Sequence, residues 1–109
     1  MHVTDLLEHV DVNVGGPVRL FQACLPLLKS AEQPKFGLVS SMAGGINGAA
    51  AFPFPRASHG ASKAAANFVL RRIRAENPDI ISLAIHPGYV TVPATSHMVK
   101  RATDVLLAP

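Results

Sequence analysis

Ile80-Ile81-Ser82-Leu83-Ala84-Ile85-His86-Pro87-Gly88 is the stretch that decides the fold. Its first six residues are almost all apolar. Asn77-Pro78-Asp79 precedes them and His86-Pro87-Gly88 follows, so turn signals close the run at both ends. A strand with one wet face alternates apolar and polar side chains. A nearly continuous apolar run of this length reads instead as a strand buried on both faces, as in a parallel sheet.

The preceding segments supply what a parallel strand needs. Residues 60–76 read as a helix whose inner face is Ala61, Ala64, Ala65, Phe68, Val69 and Ile73, with Asn77-Pro78 as its stop. The small alanines permit close approach to a neighbour. Residues 42–58 hold Gly44, Gly45, Gly48, Pro53 and Pro55, so neither a helix nor a strand can run through them. Residues 35–41, with Phe36, Leu38 and Val39, read as the partner strand.

The chain opens with a long helix. Val3, Leu6, Leu7, Val10, Val14, Val18, Phe21, Leu25 and Leu28 recur at spacings of three and four and form one stripe. Thr4 is placed as its N-cap, with Asp5 and Glu8 in the first turn. Gly15-Gly16-Pro17 interrupts it. Pro17 has no amide hydrogen, so the carbonyl of Asn13 loses its helical partner and a kink is expected. Pro26 should loosen the last turns in the same way. A further short helix is expected near residues 98–107. Helix, strand, helix, strand is the order of an α/β protein, most simply a parallel strand pair joined by a right-handed helical crossover.

Composition narrows the function. Apolar residues make up 49% of the 109 residues and charged ones 16%, a core-forming balance. Arg71, Arg72 and Arg74 are the one basic cluster. No aromatic residues interleave with them, so they read as a solvated helix face and no nucleic-acid partner is expected. Cys24 stands alone, which excludes an internal disulfide. The five histidines form no His-x-x-x-His pair, and no metal site is expected. No apolar run reaches the roughly 18 residues of a membrane span, and no signal core opens the chain, so a cytoplasmic protein is expected.

Four local patterns, in order, resemble the short-chain dehydrogenase/reductase family. They are Asn13-Val14-Gly15-Gly16, Val39-Ser40-Ser41-Met42-Ala43-Gly44, His59-Gly60-Ala61-Ser62-Lys63 and His86-Pro87-Gly88-Tyr89-Val90. They are similar to the family's Asn-x-x-Gly helix, the Ser-Ser-x-x-Gly end of its fifth strand, its Tyr-x-x-x-Lys helix and its Pro-Gly-x-Val turn. The likeness spans about residues 2–92, and the wording is nearest to norsolorinic acid ketoreductase-like members. It implies a partial Rossmann-like, doubly wound domain. It also implies an NAD(P)-dependent oxidoreductase of the carbonyl reductase or alcohol dehydrogenase type, with NADP or NAD as cofactor and a small carbonyl or alcohol as substrate.

Carried over residue by residue, the resemblance makes Ser41 the group that polarises the substrate carbonyl. Lys63 becomes the ribose-binding Lys, and Asn13 holds a relay water through its carbonyl. Gly88 and Val90 fall where the backbone meets the nicotinamide amide. Thr91 stands one position before the usual phosphate-contacting Thr. His59 occupies the place of the catalytic Tyr. A Lys four residues on lies on the same helix face, which suits lowering a phenol's pKa but opposes an imidazolium. The family's Gly-x-x-x-Gly-x-Gly turn does not occur in these residues, and Gly44-Gly45-x-x-Gly48 precedes a loop rather than a helix. Residues 1–109 are therefore expected to be a truncated domain without the dinucleotide-binding half, inactive as they stand. The other reading, also from the resemblance, is an interaction module that pairs with a copy of itself or an intact relative through residues 3–28 and 60–76.

Overall fold

The computed structural model describes residues 1–51 and 57–88, and the short helix expected near residues 98–107 lies outside them. The first helical segment forms in three pieces. Helix α1 is Val3–Val10, a π-helical turn follows over Asp11–Gly15, and helix α2 is Gly16–Ser30. Helix α1 begins one residue before Thr4. His2 takes the N-cap position without a side-chain bond, and its carbonyl accepts from the Leu6 amide at 3.1 Å. Thr4 is thus inside the first turn, because Val3, the first residue of the apolar stripe, is already helical.

The expected kink takes the form of the π turn. The Gly16 amide reaches back to the Asp11 carbonyl, five residues away. Pro17, which has no amide hydrogen to donate, falls in the first turn of α2, directly after the π turn. Arg19 folds back over Gly15 and pairs with the Asp11 carboxylate, bracing the turn from outside. Helix α2 continues as an α-helix through Pro26 to Ser30.

Strand β1 is Lys35–Val39. Two 3₁₀ turns, Met42–Gly44 and Ala49–Ala51, occupy the Gly/Ala-rich connection. Helix α3 is Ala57–Glu76, starting three residues before the expected Gly60. Strand β2, Ile81–Ile85, then runs parallel to β1. The register pairs Lys35 with Ile81 and Val39 with Ile85. The Ser40 amide extends the ladder by donating to the Ile85 carbonyl at 2.7 Å. The fold is a helix and strand mixture built on a two-stranded parallel sheet, a partial Rossmann-like α/β unit.

The core is Phe21 from α2, Phe36 and Leu38 from β1, Ala66, Leu70 and Ile73 from α3, and Ile80 just before β2. Phe21 and Phe36 meet edge to face with ring centroids 5.1 Å apart. Both long helices lie on one face of the sheet. The other face carries Val39, Ile81, Leu83 and Ile85, each about half exposed or more. The expectation that Ile80–Ile85 is buried on both faces is therefore corrected. Its apolar character is two-sided, but among the described residues only one side has a layer of helices against it. No described helix is long and apolar enough to cross a membrane.

Candidate active site

The amino-terminal half of α3 docks onto the turn after β1 through glycines. A Cβ on Gly60 would lie 2.8 Å from the Ala43 carbonyl oxygen. One on Gly44 would lie 2.9 Å from the Asn67 amide nitrogen and 3.0 Å from the Lys63 backbone. Only glycine permits this backbone-to-backbone contact. It fixes the first turns of α3 against the residues that leave β1.

Polar side chains then tie the elements together. Ser62 is fully buried. Its hydroxyl donates to the His59 carbonyl at 2.7 Å and accepts from the Asn13 side-chain amide at 2.9 Å. The Asn13 turn is thereby fastened to the helix that carries His59 and Lys63. Ser40 does the same for the strand, donating from Oγ to Asn67 Oδ1 at 2.7 Å. Lys63 donates from Nζ to the carbonyl of Val39, the last residue of β1, at 3.0 Å. Ser41 caps the first 3₁₀ turn, its Oγ accepting from the Ala43 amide at 3.2 Å.

The predicted residues fall into two groups. Asn13 and His59 line one open cleft of about 330 Å³, together with Glu8, His9 and Val12. Ser41 and Lys63 are not among its lining residues and are held at the carboxyl end of β1. Gly88 follows the carboxyl end of β2, exposed and with a φ of 80°, a left-handed conformation that favours glycine. Val90 and Thr91 lie outside the described residues.

Three tying residues were not singled out from the sequence. Ser62 lay inside the quoted motif, and its place three residues after His59 puts it on the same helix face. Ser40 and Asn67 are 27 residues apart, and no local pattern joins them. His9 is the fourth omission. Its ring meets that of His59 edge to face, with centroids 6.3 Å apart.

The carboxyl ends of parallel strands are where open α/β sheets take their ligands. Lys63 fits the ribose of a dinucleotide there, because an ammonium has three N–H donors and the Val39 carbonyl occupies one. The phosphates have no such fit among the described residues. The Gly44 amide donates to Ser41 and the Gly45 amide to Met42, so this glycine pair offers no free cradle. No cluster of three His, Cys, Asp or Glu side chains that could hold a metal occurs among the described residues.

Comparison with known proteins adds an independent observation. No family model matches the chain. It is 44% identical over 92 residues to the short chain dehydrogenase gsfK of Penicillium aethiopicum, covering 81% of this chain and 36% of that one. It is 40% identical over 90 residues to the short-chain dehydrogenase srdF of Neurospora crassa, covering 79% and 35%. Norsolorinic acid ketoreductase of Aspergillus parasiticus matches at 36% over 92 residues, covering 83% and 34%. The chain thus spans about a third of the length of these curated relatives.

Proposed function

We propose, for a chain related to the short-chain dehydrogenase/reductases over about a third of their length, that it forms the catalytic-helix part of an NAD(P)-dependent oxidoreductase acting on a small carbonyl or alcohol. The observation that carries this reading is the Asn13–Ser62–His59 hydrogen-bond chain, which fastens the Asn turn to the helix one turn ahead of Lys63. A nicotinamide supplies or takes the hydride in such chemistry. This chain's residues do the rest. Lys63 holds ribose hydroxyls. Ser41, whose oxygen accepts from Ala43, keeps its own proton to donate to a carbonyl oxygen. His59 stands in the place that the resemblance gives to a Tyr and moves a proton there far less well than a phenol would. Asn13 and Ser62 hold the first turns of α3 in place.

The pyrophosphate needs a cradle that is not found among the described residues, so in this reading the chain requires a dinucleotide-binding half to turn over. Titration calorimetry tests it. The chain alone should show no saturable micromolar binding of NADPH or NADH. The chain fused behind the first half of the Penicillium relative should bind one of them. In that fusion Lys63→Ala should weaken binding about tenfold, the equivalent of one charge-assisted hydrogen bond. Saturable binding by the chain alone, or no effect of Lys63→Ala, would overturn the assignment.

One observation favours a second reading as an interaction module. Phe68 on α3 is 69% exposed, and Val3 and Leu7 on α1 are exposed as well. Residues 3–28 and 60–76 would then pair with a second copy or with an intact relative. Phe68→Lys should yield a smaller species in sedimentation velocity, and an unchanged monomer before and after the substitution would remove this reading.

A further inference from the structure

A second cleft, of about 440 Å³, opens between α3 and the residues after the first 3₁₀ turn. Asn13, Ser41, His59 and Lys63 are not among its lining residues. Gly44, Ile46 and Asn47 form one wall, and Ala64, Asn67, Phe68 and Arg71 form the other. Positions 64, 67, 68 and 71 recur at spacings of three and four, so α3 turns a single stripe toward the cleft. The volume lies within the roughly 300–1,000 Å³ of small-molecule sites.

Two donors stand in this cleft. The Ser40 hydroxyl donates to Asn67 Oδ1 at 2.7 Å, which fixes the orientation of that amide. Asn67 Nδ2 lies over Gly44, where a Cβ would come within 2.9 Å of it. Its hydrogens meet no acceptor among the described residues. Arg71 follows one turn along α3. Its neighbour Arg72 is paired with Glu76, but Arg71 has no ion-pair partner among the described residues. No Asp or Glu lines the cleft. An amide nitrogen and a guanidinium four residues apart thus present N–H groups together, the pattern that a carboxylate accepts. The remaining lining is largely apolar. Phe68 is 69% and Ile46 82% exposed, one on each wall. A flat apolar body laid between them takes both from water, and the Phe68 ring favours an aromatic one.

We propose that this cleft is a binding site for a small aromatic carboxylate, its ring against Phe68 and Ile46 and its carboxylate on the Asn67 amide and the Arg71 guanidinium. The site is independent of the reductase reading, because none of its lining residues is assigned hydride or proton transfer. It competes with the interaction-module reading for Phe68. Helix pairing would use the apolar ring alone, whereas the fixed Asn67 donor and the unpaired Arg71 call for an anionic acceptor beside it.

The test is ¹H–¹⁵N NMR of the full chain, with 2-naphthoate as the probe and the neutral 2-naphthamide as its control. Naphthoate should give saturable shifts at Ile46, Asn47, the Asn67 side-chain amide, Phe68 and Arg71. Naphthamide should bind about tenfold more weakly, the equivalent of one charge-assisted hydrogen bond. Arg71→Gln should remove that preference without changing naphthamide binding, and Phe68→Ala should weaken both probes. Both side chains are exposed, so neither substitution opens the core. Equal affinity for the two probes, or a preference for naphthoate that survives Arg71→Gln, would overturn the proposal. Shifts from an acidic aromatic peptide, acetyl-Asp-Phe-Asp amide, with none from naphthoate would assign the cleft to a protein partner and overturn it equally. These spectra use no nicotinamide cofactor, so failure of the reductase reading shows in the calorimetry and failure of this site shows here.

Discussion

Both faces of the β1–β2 sheet carry apolar side chains, yet they lie in opposite environments. On one face Phe36 and Leu38 are buried beneath α2 and α3, with Ser82 beside them. On the other, Val39 is 60% exposed and Leu83 52% exposed, one residue along the same strands. Alternation places neighbours on opposite faces, so the same strand is half core and half surface. A two-sided apolar strand suits a sheet with helices on both faces. Among the described residues, only one of the two faces has helices laid against it. The curated relatives are more than twice as long as this chain.

Substitutions break or sharpen the contrast. The largest stability effect belongs to the covered face. Leu38→Ala should destabilise the chain by about 2–5 kcal/mol in urea unfolding, because it opens a cavity under two helices. Leu83→Ala on the bare face should cost about 1 kcal/mol or less, since little apolar area leaves water there. Similar costs at the two positions would mean that both faces are covered in solution.

Gly60→Ala comes next. Its Cβ would meet the Ala43 carbonyl oxygen at 2.8 Å, a backbone atom that cannot swing aside. A loss of about 1–3 kcal/mol is expected, the usual range for overpacking. Thermal unfolding by circular dichroism measures it, and a gain in stability would contradict the close docking of α3 on the 3₁₀ turn.

Ser62→Ala should cost about 1–3 kcal/mol, the penalty of leaving the Asn13 amide without its acceptor. The double variant with Asn13→Leu should recover part of that loss, because it removes the stranded donor too. Additive losses would deny the coupling between them.

The smallest effect is at the far end of the covered side. The Lys29 ammonium, hydrogen-bonded to Asp79 at 3.0 Å, holds that carboxyl below its ordinary value. A depressed carboxyl stabilises the folded chain above its ordinary pKa and loses that contribution as pH falls through the folded value. Asp79→Asn should therefore narrow the difference between melting temperatures at neutral and acid pH by a small amount, because the pair is exposed. An unchanged difference would show that the pair adds nothing in solution.

Much of this arrangement is legible in the residues. Ile80–Gly88 and residues 35–41 give the strands, but the inner face read for α3 from Ala61, Ala64, Ala65, Phe68, Val69 and Ile73 is not the buried one, which is Ser58, Ser62, Ala66, Leu70 and Ile73. The Gly15-Gly16-Pro17 break is legible as a break, but not as a π turn. Pro17 says only that one hydrogen bond is missing. Whether the helix drops a bond or inserts a residue depends on how α1 and α2 pack. The bare sheet face was not legible for a related reason. An apolar run reports what a strand is suited to contact, not what lies against it. In the site, the positions of Asn13, Ser41, His59 and Lys63 come from spacing and resemblance. The ties through Ser62, Asn67 and His9 join residues up to 50 positions apart, and no local pattern encodes such pairs.

The most direct measurement concerns position 59. The chain is fused behind the first half of the Penicillium relative, and NADPH oxidation is followed with a panel of aromatic ketones. His59→Tyr should raise the rate by about 10²–10⁴, the usual worth of a positioned general acid. Lys63→Ala in that background should remove most of the gain, because the phenol loses the cation that lowers its pKa. A His59 fusion as fast as the His59→Tyr fusion would show that the imidazole is already a competent acid. No turnover from either, with cofactor bound, would contradict the placing of Ser41 and Lys63 around a reacting carbonyl.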